Sequence, residues 1–228
     1  MASDWSVIIE YQDYFIRGLI NSALLTVVGV SFGTMLGLIL GLMRLSRRRW
    51  VYIPAKIYVD LFRGTPLMLQ LLFVHFALLP ELAETVGTEP PEAAITSGFV
   101  ALALNAGAYI AEIFRGGIQS IEKGQMEAAR SLGMSYSQAM RLVILPQAFK
   151  RMLPPLGNEF IALLKDSSLV AIIAVPDITY AAFNTAKSTF IRVPPYVMGA
   201  ILYLILTYLL SRFVFYLERR TRTDAEER

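Results

Sequence analysis

The sequence predicts an all-α integral membrane protein, a single domain over residues 1–228 with about five transmembrane helices and a short hairpin of helices between two of them. Three observations support this fold class. Hydrophobic residues make up 55% of the 228 residues and the mean hydropathy is +0.52, which is too apolar for an ordinary soluble domain. Several apolar runs are long enough to cross a bilayer. Lys and Arg fall into clusters between those runs.

The composition excludes several kinds of site. The chain has no cysteine, so it has no disulfide, thiolate metal site or cysteine nucleophile. The net charge is +3, but the basic residues form no single patch of the kind that binds nucleic acid. His75, the one histidine, lies in an apolar run and is predicted to be a packed residue. We therefore expect no metal site and no nucleic-acid partner.

The first apolar run, residues 18–43, contains no charged residue. As a helix it would reach about 39 Å, more than the ~30 Å hydrocarbon core of a bilayer. The segment before it contains Asp4, Glu10 and Asp13, whereas a cleavable signal peptide begins with basic residues. We therefore expect this span to remain in the mature protein.

Four further spans are predicted, at residues 66–86, 95–119, 156–175 and 194–217. The second should begin at Thr65-Pro66, because Thr can cap a helix and Pro suits its first position. Residues 53–62 would then form a short helix at the membrane interface before it.

The loop charges predict the orientation. Segments 44–56 and 115–151 contain five and six Lys or Arg, and the tail 212–228 contains five. The intervening segment 80–94 has none and segment 176–193 has two. This alternation predicts that the N-terminus lies outside the cell and that the C-terminus and residues 120–151 lie inside.

Residues 120–151 are too polar to span the membrane and too regular for a slack connection, so we expect them to fold as two short helices, called here the 120–151 hairpin. Gly133 can end the first helix in a left-handed conformation. Ser135 and Gln138 form a capping box for the second, which should reach toward Pro146. The first helix is suited to docking a partner protein, because small side chains lie beside an exposed charge and apolar neighbours. The small side chains are Ala128 and Ala129, the charge is Glu127, and the apolar neighbours are Met126 and Leu132.

Polar side chains inside the predicted spans are candidates for a solute pathway, because an ionisable group in hydrocarbon is costly unless it faces water or a partner. The candidates are Asn105 and Glu112 on the third span and Asn158, Glu159, Lys165 and Asp166 on the fourth. The alternative interpretation is that Glu112 with Arg115, and Lys165 with Asp166, are structural pairs. Glu159 has no cation within one helical turn, which favours a functional role for it.

The hairpin sequence resembles the cytoplasmic signature of ATP-binding-cassette (ABC) importer permeases, the EAA motif. The matching residues are Glu127-Ala128-Ala129, Gly133, Val143 and Leu145-Pro146. Isoleucine is usual in the family where this chain has Val143, a conservative difference. The resemblance implies that Glu127, Ala128, Ala129, Gly133, Leu145 and Pro146 dock an ATPase. An amphipathic hairpin lying on the membrane surface is the alternative interpretation of this loop.

Four other segments look like the polar-amino-acid branch of that family. They are residues 63–67, 109–119, 158–160 and 164–169. The resemblance implies a type I importer fold in the bacterial inner membrane, with a five-helix core paired as a dimer with a second copy or a homologous permease. It also implies two ABC ATPase subunits inside the cell, a solute-binding protein outside and a polar amino acid as substrate.

The residues themselves agree that ATP is handled elsewhere, since no G-x-x-x-x-G-K-[ST] loop is present to bind nucleotide phosphates. We expect no enzymatic activity and no cofactor in this chain, with ATP and Mg bound by the partner ATPase. The alternative function is a non-transporting membrane scaffold or sensor that holds a cytoplasmic partner through the same hairpin. The sequence leaves open which amino acid is moved and whether the permease pairs with itself.

Overall fold

The computed structural model describes residues 4–89 and 94–221, and all the regular structure within these ranges is helical. The α-helices are α1 (Ser6–Glu10), α2 (Gln12–Arg44), α3 (Arg49–Gly64), α4 (Leu67–Phe73), α5 (Leu79–Val86), α6 (Ala94–Gln119), α7 (Lys123–Ser131), α8 (Tyr136–Ala139), α9 (Leu145–Asp166), α10 (Ile178–Thr189) and α11 (Val193–Thr221). Two π-helical turns, Val74–Leu78 and Met140–Ile144, join α4 to α5 and α8 to α9, and a 3₁₀ segment, Ser167–Ile173, follows α9. The predicted all-α class is confirmed.

Four helical stretches of the described residues are long and apolar enough to cross a membrane: Gln12–Arg44, Leu67–Val86, Ala94–Gln119 and Val193–Arg220. They overlap four of the predicted spans, and the first begins at Gln12, before the predicted residue 18. The predicted span over 156–175 is not among them, and its helix ends at Asp166. Because α9 contains several charged side chains, its mean hydropathy is low, and a fifth crossing there stays a prediction.

The centre of the bundle is the contact between α2 and α6, which is made possible by glycines spaced four residues apart on α2. A Cβ on Gly33 would lie 2.7 Å from the Cβ of Ala106, and one on Gly37 would lie 2.7 Å from the Cβ of Ile110. Small residues at this spacing let two membrane helices approach backbone to backbone. The main core cluster extends from this contact to the side of α9 through Leu163.

The start of the second span differs from the prediction. Helix α3 runs to Gly64, beyond the predicted 53–62, and α4 begins only at Leu67. Thr65 and Pro66 are extended, with φ/ψ of −122/147° and −65/134°, because a proline disfavours the helical conformation of the residue before it. Pro66 and not Thr65 is therefore the N-cap of α4, and the Thr65 hydroxyl instead donates to the Leu61 carbonyl at the end of α3, at 2.8 Å.

His75 lies in the π-helical turn of this span. Its Nδ1 is 2.8 Å from Ser97 Oγ on α6, and the ring packs edge-on to Phe76. The prediction of a packed histidine is confirmed.

The end of the bundle that contains the start of α2 has its own anchor, Asp177. Its fully buried carboxylate accepts hydrogen bonds from the backbone N–H groups of Thr179 (3.1 Å) and Tyr180 (2.8 Å) and from the Tyr203 hydroxyl (2.8 Å). Burial raises the pKa of the Asp177 carboxyl above its ordinary value, although these hydrogen bonds act in the opposite direction. The residue caps α10 and links it to α11. Residues 90–93, within the predicted loop that has no Lys or Arg, and residues 222–228 of the predicted basic tail lie outside the described residues.

Candidate functional site

The 120–151 hairpin folds as its sequence predicts at the first turn. Gly133 adopts φ +85°, and the N–H of Met134 donates to the carbonyl of Ala129 at 3.2 Å. The N–H of Gly133 donates to the carbonyl of Arg130 at 3.1 Å, so the last carbonyls of α7 are satisfied by the turn. The left-handed glycine cap is confirmed.

The second helix of the hairpin also begins as predicted, with a capping box between Ser135 and Gln138. It does not stop near Pro146. The chain continues through the π-helical turn Met140–Ile144 directly into α9, with Pro146 in the first turn of that helix. A wider turn just before a proline accommodates its missing N–H, because a π-helical turn shifts the hydrogen-bond register. The hairpin is therefore joined rigidly to the helix that carries the α9 candidates.

The hairpin presents a mixed surface. Glu127, Ala128 and Pro146 are exposed, and Leu132 is 82% exposed although it is apolar. Ala129 is only 4% exposed and packs inside the protein, so its small size serves the chain's own packing and not an open surface. The other large hydrophobic side chains exposed on the hairpin are Tyr136, Leu142, Leu145 and Phe149.

Asn105 is placed in a buried polar network and not on an open cavity. Its Nδ2 donates to Oε1 of Gln70 at 2.9 Å, and Asn105 is 5% exposed. The Gln70 Nε2 donates in turn to the carbonyls of Phe62 (2.7 Å) and Thr65 (3.0 Å). The pair thus holds the break between α3 and α4 against α6.

Glu112 is surrounded by arginines. Arg44 Nη1 lies 2.7 Å from Glu112 Oε1, a contact of charge rather than of hydrogen-bond geometry, and Arg115 Nη2 lies 2.7 Å from Oε2. Arg63 Nη1 is 3.8 Å from Oε2, and its guanidinium lies over the Tyr109 ring at 5.3 Å. The structural pairing of Glu112 with Arg115 is therefore present and is extended by two arginines from α2 and α3. This favours a structural role for Glu112 over a substrate contact.

The α9 candidates form a different arrangement. Glu159 and Asp166 are half-buried and seven residues apart, which places them on one face of the helix. No salt bridge of the described residues includes either one, and none joins Lys165 to Asp166. Asp166 and Arg63 both lie near enough for their charges to act on the Glu159 carboxyl. Asn158 and Lys165 are exposed on the same helix.

Several residues that hold the candidate groups in place were not indicated by the sequence patterns. Two of them, Arg44 and Arg63, lie against the Glu112 carboxylate, and Gln70 accepts a hydrogen bond from Asn105. Asp177 anchors the opposite end of the bundle. Only Gln70 gave a local signal, as a lone amide within the apolar run that follows Pro66. The partners of the two arginines come from distant parts of the chain.

The described residues form a membrane-spanning helical bundle with a folded polar hairpin at one end. The helix after the hairpin has two carboxyl groups that form no salt bridge within the described residues. This combination is typical of a membrane transport subunit that is coupled to a partner protein. Residues 33–223 match the family described as "Binding-protein-dependent transport system inner membrane component", and the chain belongs to that family.

Curated relatives align with this chain over nearly its full length. The chain is 35% identical to the arginine transport system permease protein ArtQ of Bacillus subtilis (strain 168), covering 98% of this chain and 100% of the relative. It is 37% identical to the glutamine transport system permease protein GlnP of Escherichia coli (strain K12), covering 97% and 99%. A solved structure described as an amino acid ABC transporter with histidines superposes with a TM-score of 0.86 at 41% identity, covering 96% of this chain and 100% of that one.

The chain is therefore the permease subunit of an ABC importer, a multi-pass protein of the inner membrane, and ATP hydrolysis belongs to a separate subunit. The predicted family and function are confirmed. A non-transporting scaffold or sensor is not favoured.

Proposed function

We propose that this permease imports a polar amino acid and that Glu159 and Asp166 contact the positively charged group of the substrate. The observation that carries the proposal is that these two half-buried carboxyl groups share one face of α9 without a neutralising salt bridge among the described residues. Every free amino acid carries an α-ammonium group at neutral pH. The names of the arginine and glutamine permeases above are consistent with a substrate of this class.

The other predicted pathway residues take supporting places in this proposal. Asn158 and Lys165 are exposed beside the acidic pair, where an amide and an ammonium group suit the substrate carboxylate. Asn105 and Glu112 form the wall behind the pathway, since both are occupied by contacts within the chain. The exposed face of α9 then faces a second permease, either a copy of this chain or a homologue.

The 120–151 hairpin is the proposed contact with the ABC ATPase, which binds ATP and Mg. Glu127 and Ala128 are exposed on α7, Gly133 sets the angle between the two short helices, and Leu145 with Pro146 begins α9. A displacement of the hairpin by the ATPase would pass directly to α9, because the π-helical turn joins them without a loop. The hairpin faces the cytoplasm in this proposal, with the N-terminus outside, the C-terminus inside and the solute-binding protein on the outer side.

The test is substrate uptake by Glu159→Gln, in proteoliposomes that contain the permease, its ATPase and its binding protein. A hydrogen bond to a charged group contributes about 1.5–3 kcal/mol, so the apparent affinity for substrate should fall roughly 10- to 100-fold while the complex still assembles. Glu81→Gln, the same change at an exposed position on α5, is the matched control. An assembled Glu159→Gln complex with unchanged apparent affinity would remove Glu159 from the pathway.

A further inference from the structure

Helix α3 has an apolar face that nothing in the described chain covers. Its buried face, with Ala55 at 1% and Val59 at 0% exposure, packs against α2 and α6. On another side a stripe of large apolar residues points outward: Trp50 (71% exposed), Ile53 (46%), Ile57 (61%) and Leu61 (54%). Their spacing of three, four and four residues places them in one row along the helix.

Basic residues border this stripe. Arg47, Arg48 and Arg49 are exposed where the chain enters α3, whose first residue is Arg49, and none of them forms a salt bridge with the described residues. The Arg48 guanidinium lies 5.9 Å from the Trp50 ring centroid. Lys56, one helical turn before Asp60, pairs with that carboxylate at 3.3 Å. The three arginines therefore have their charge available to something outside the chain.

The position of this turn at the end of a span adds to the pattern. Helix α2 is a span that ends at Arg44, so the arginines follow immediately where the chain leaves the hydrocarbon. The contact of Arg44 with Glu112, near the end of α6, places the turn at the same end of the bundle as the 120–151 hairpin. Trp and Arg concentrate at this depth, where an aromatic ring borders the acyl chains and a guanidinium reaches the headgroups.

We propose that the turn Arg47–Arg49 and the exposed stripe of α3, called here the α3 lipid surface, bind anionic phospholipid selectively. The arginines contact the headgroup phosphates and the stripe contacts the acyl chains. A cluster of cations directly after a span attracts anionic lipid, with each cation worth roughly a fivefold gain in affinity near the surface.

The charge pattern favours lipid over a second copy of the chain. A symmetric pair meeting through this surface would bring the same patch of each copy together, including the arginines. Like charges placed together across an interface oppose association. An anionic leaflet instead matches both the charge of the turn and the apolar character of the stripe.

The chain offers a local reporter for the test, because Trp50 is one of only two tryptophans. In a Trp5→Phe background, the full-length permease is reconstituted in phosphatidylcholine bilayers with either brominated phosphatidylglycerol or brominated phosphatidylcholine. Bromine quenches tryptophan fluorescence on contact, so the two titrations give the relative affinity of each lipid at Trp50. We expect phosphatidylglycerol to bind at least roughly fivefold more tightly at low salt, and the preference to fall in high salt.

A triple variant, Arg47→Gln, Arg48→Gln and Arg49→Gln, should reduce the preference to about one while both lipids still quench. The matched control removes three exposed arginines from the C-terminal third of α11, through Arg212→Gln, Arg219→Gln and Arg220→Gln, and should keep the parental preference. Equal affinities in the parent, or an unchanged preference in the first triple variant, would overturn the proposal. Failure of both lipids to quench Trp50 would also overturn it and would show that a protein, such as the second permease, covers the stripe.

Discussion

Glu112 and Glu159 look alike in the sequence but differ in their surroundings. Both are carboxylates in predicted spans. Three arginines converge on Glu112, whereas no salt bridge of the described residues includes Glu159. An intramembrane acid that is neutralised by its own chain holds helices together, and one that is not is available to a ligand. The partners of an acid, and not its presence in a span, therefore indicate its role.

The largest effect that would test this contrast is on stability. Glu112→Gln removes the carboxylate that the arginines share and leaves Arg44, with its side chain 10% exposed, without its counter-charge. Breaking a buried pair in this way costs about 3–5 kcal/mol, and the partial exposure of Arg63 and Arg115 favours the lower end. We expect a clear loss of folded permease in detergent, measured as the thermal unfolding midpoint of the purified chain. Glu159→Gln should retain or raise that midpoint. Equal losses in both variants would show that Glu112 and Glu159 contribute alike to stability.

The second prediction concerns the buried network beside Glu112. Asn105→Leu leaves the Gln70 amide oxygen without its donor, which should cost about 1–3 kcal/mol of unfolding free energy. Asn158→Leu is the same substitution at an exposed position of α9 and should cost little stability. Thermal unfolding of the two variants side by side gives the comparison. A stable Asn105→Leu variant would show that the break between α3 and α4 needs no such support.

A smaller local effect is expected at the hairpin. A change there should affect coupling to the ATPase and not folding of the permease. Gly133→Val places a β-branched residue at φ +85°, a conformation that costs on the order of 1–2 kcal/mol for a residue with a Cβ. The angle between α7 and α8 should change while the spans still insert. We expect reduced co-purification of the ATPase or reduced substrate-stimulated ATP hydrolysis at near-normal permease abundance, with a milder defect in Glu127→Ala. Parental values of both quantities in both variants would argue against the docking role.

The smallest expected effect concerns orientation. Ser135→Cys introduces the first thiol of the chain at an exposed position of the hairpin. Because the hairpin is proposed to face the cytoplasm, an impermeant thiol reagent should label this cysteine only after the cells are opened. Labelling of intact cells would show that the hairpin faces outward, opposite to the proposed orientation.

Local sequence patterns predicted the parts of the structure that depend on neighbouring residues. The uncharged run 18–43, the glycine at 133 and the Ser135–Gln138 capping box each determine their own backbone, and each was found as predicted. The contrast between Glu112 and Glu159 depends on contacts distant in the chain, and no local pattern indicates that Arg44 and Arg63 meet at Glu112.

The predicted span over 156–175 depends on hydropathy, which indicated its position less well than it did for the first span. The sequence suggested a crossing there, but α9 begins at Leu145 as a continuation of the hairpin and combines charged groups with an apolar side. Hydropathy alone cannot separate a helix that lines a polar pathway from one that lies at the surface, because both have charged residues on one face.

Ligand stabilisation of the purified permease–ATPase complex is the sharpest test of substrate binding at Glu159, because it needs no binding protein and no transport. A panel of polar amino acids is added to the parent, Glu159→Gln and Glu81→Gln complexes, and the shift of the thermal midpoint is measured for each. A ligand that binds the folded state alone raises its stability, by about 2.7 kcal/mol at 100 times its Kd. The proposal predicts that at least one polar amino acid stabilises the parent and Glu81→Gln complexes and that this shift is largely lost in Glu159→Gln. The same shift in all three complexes would contradict the assignment of the substrate site to Glu159 and Asp166.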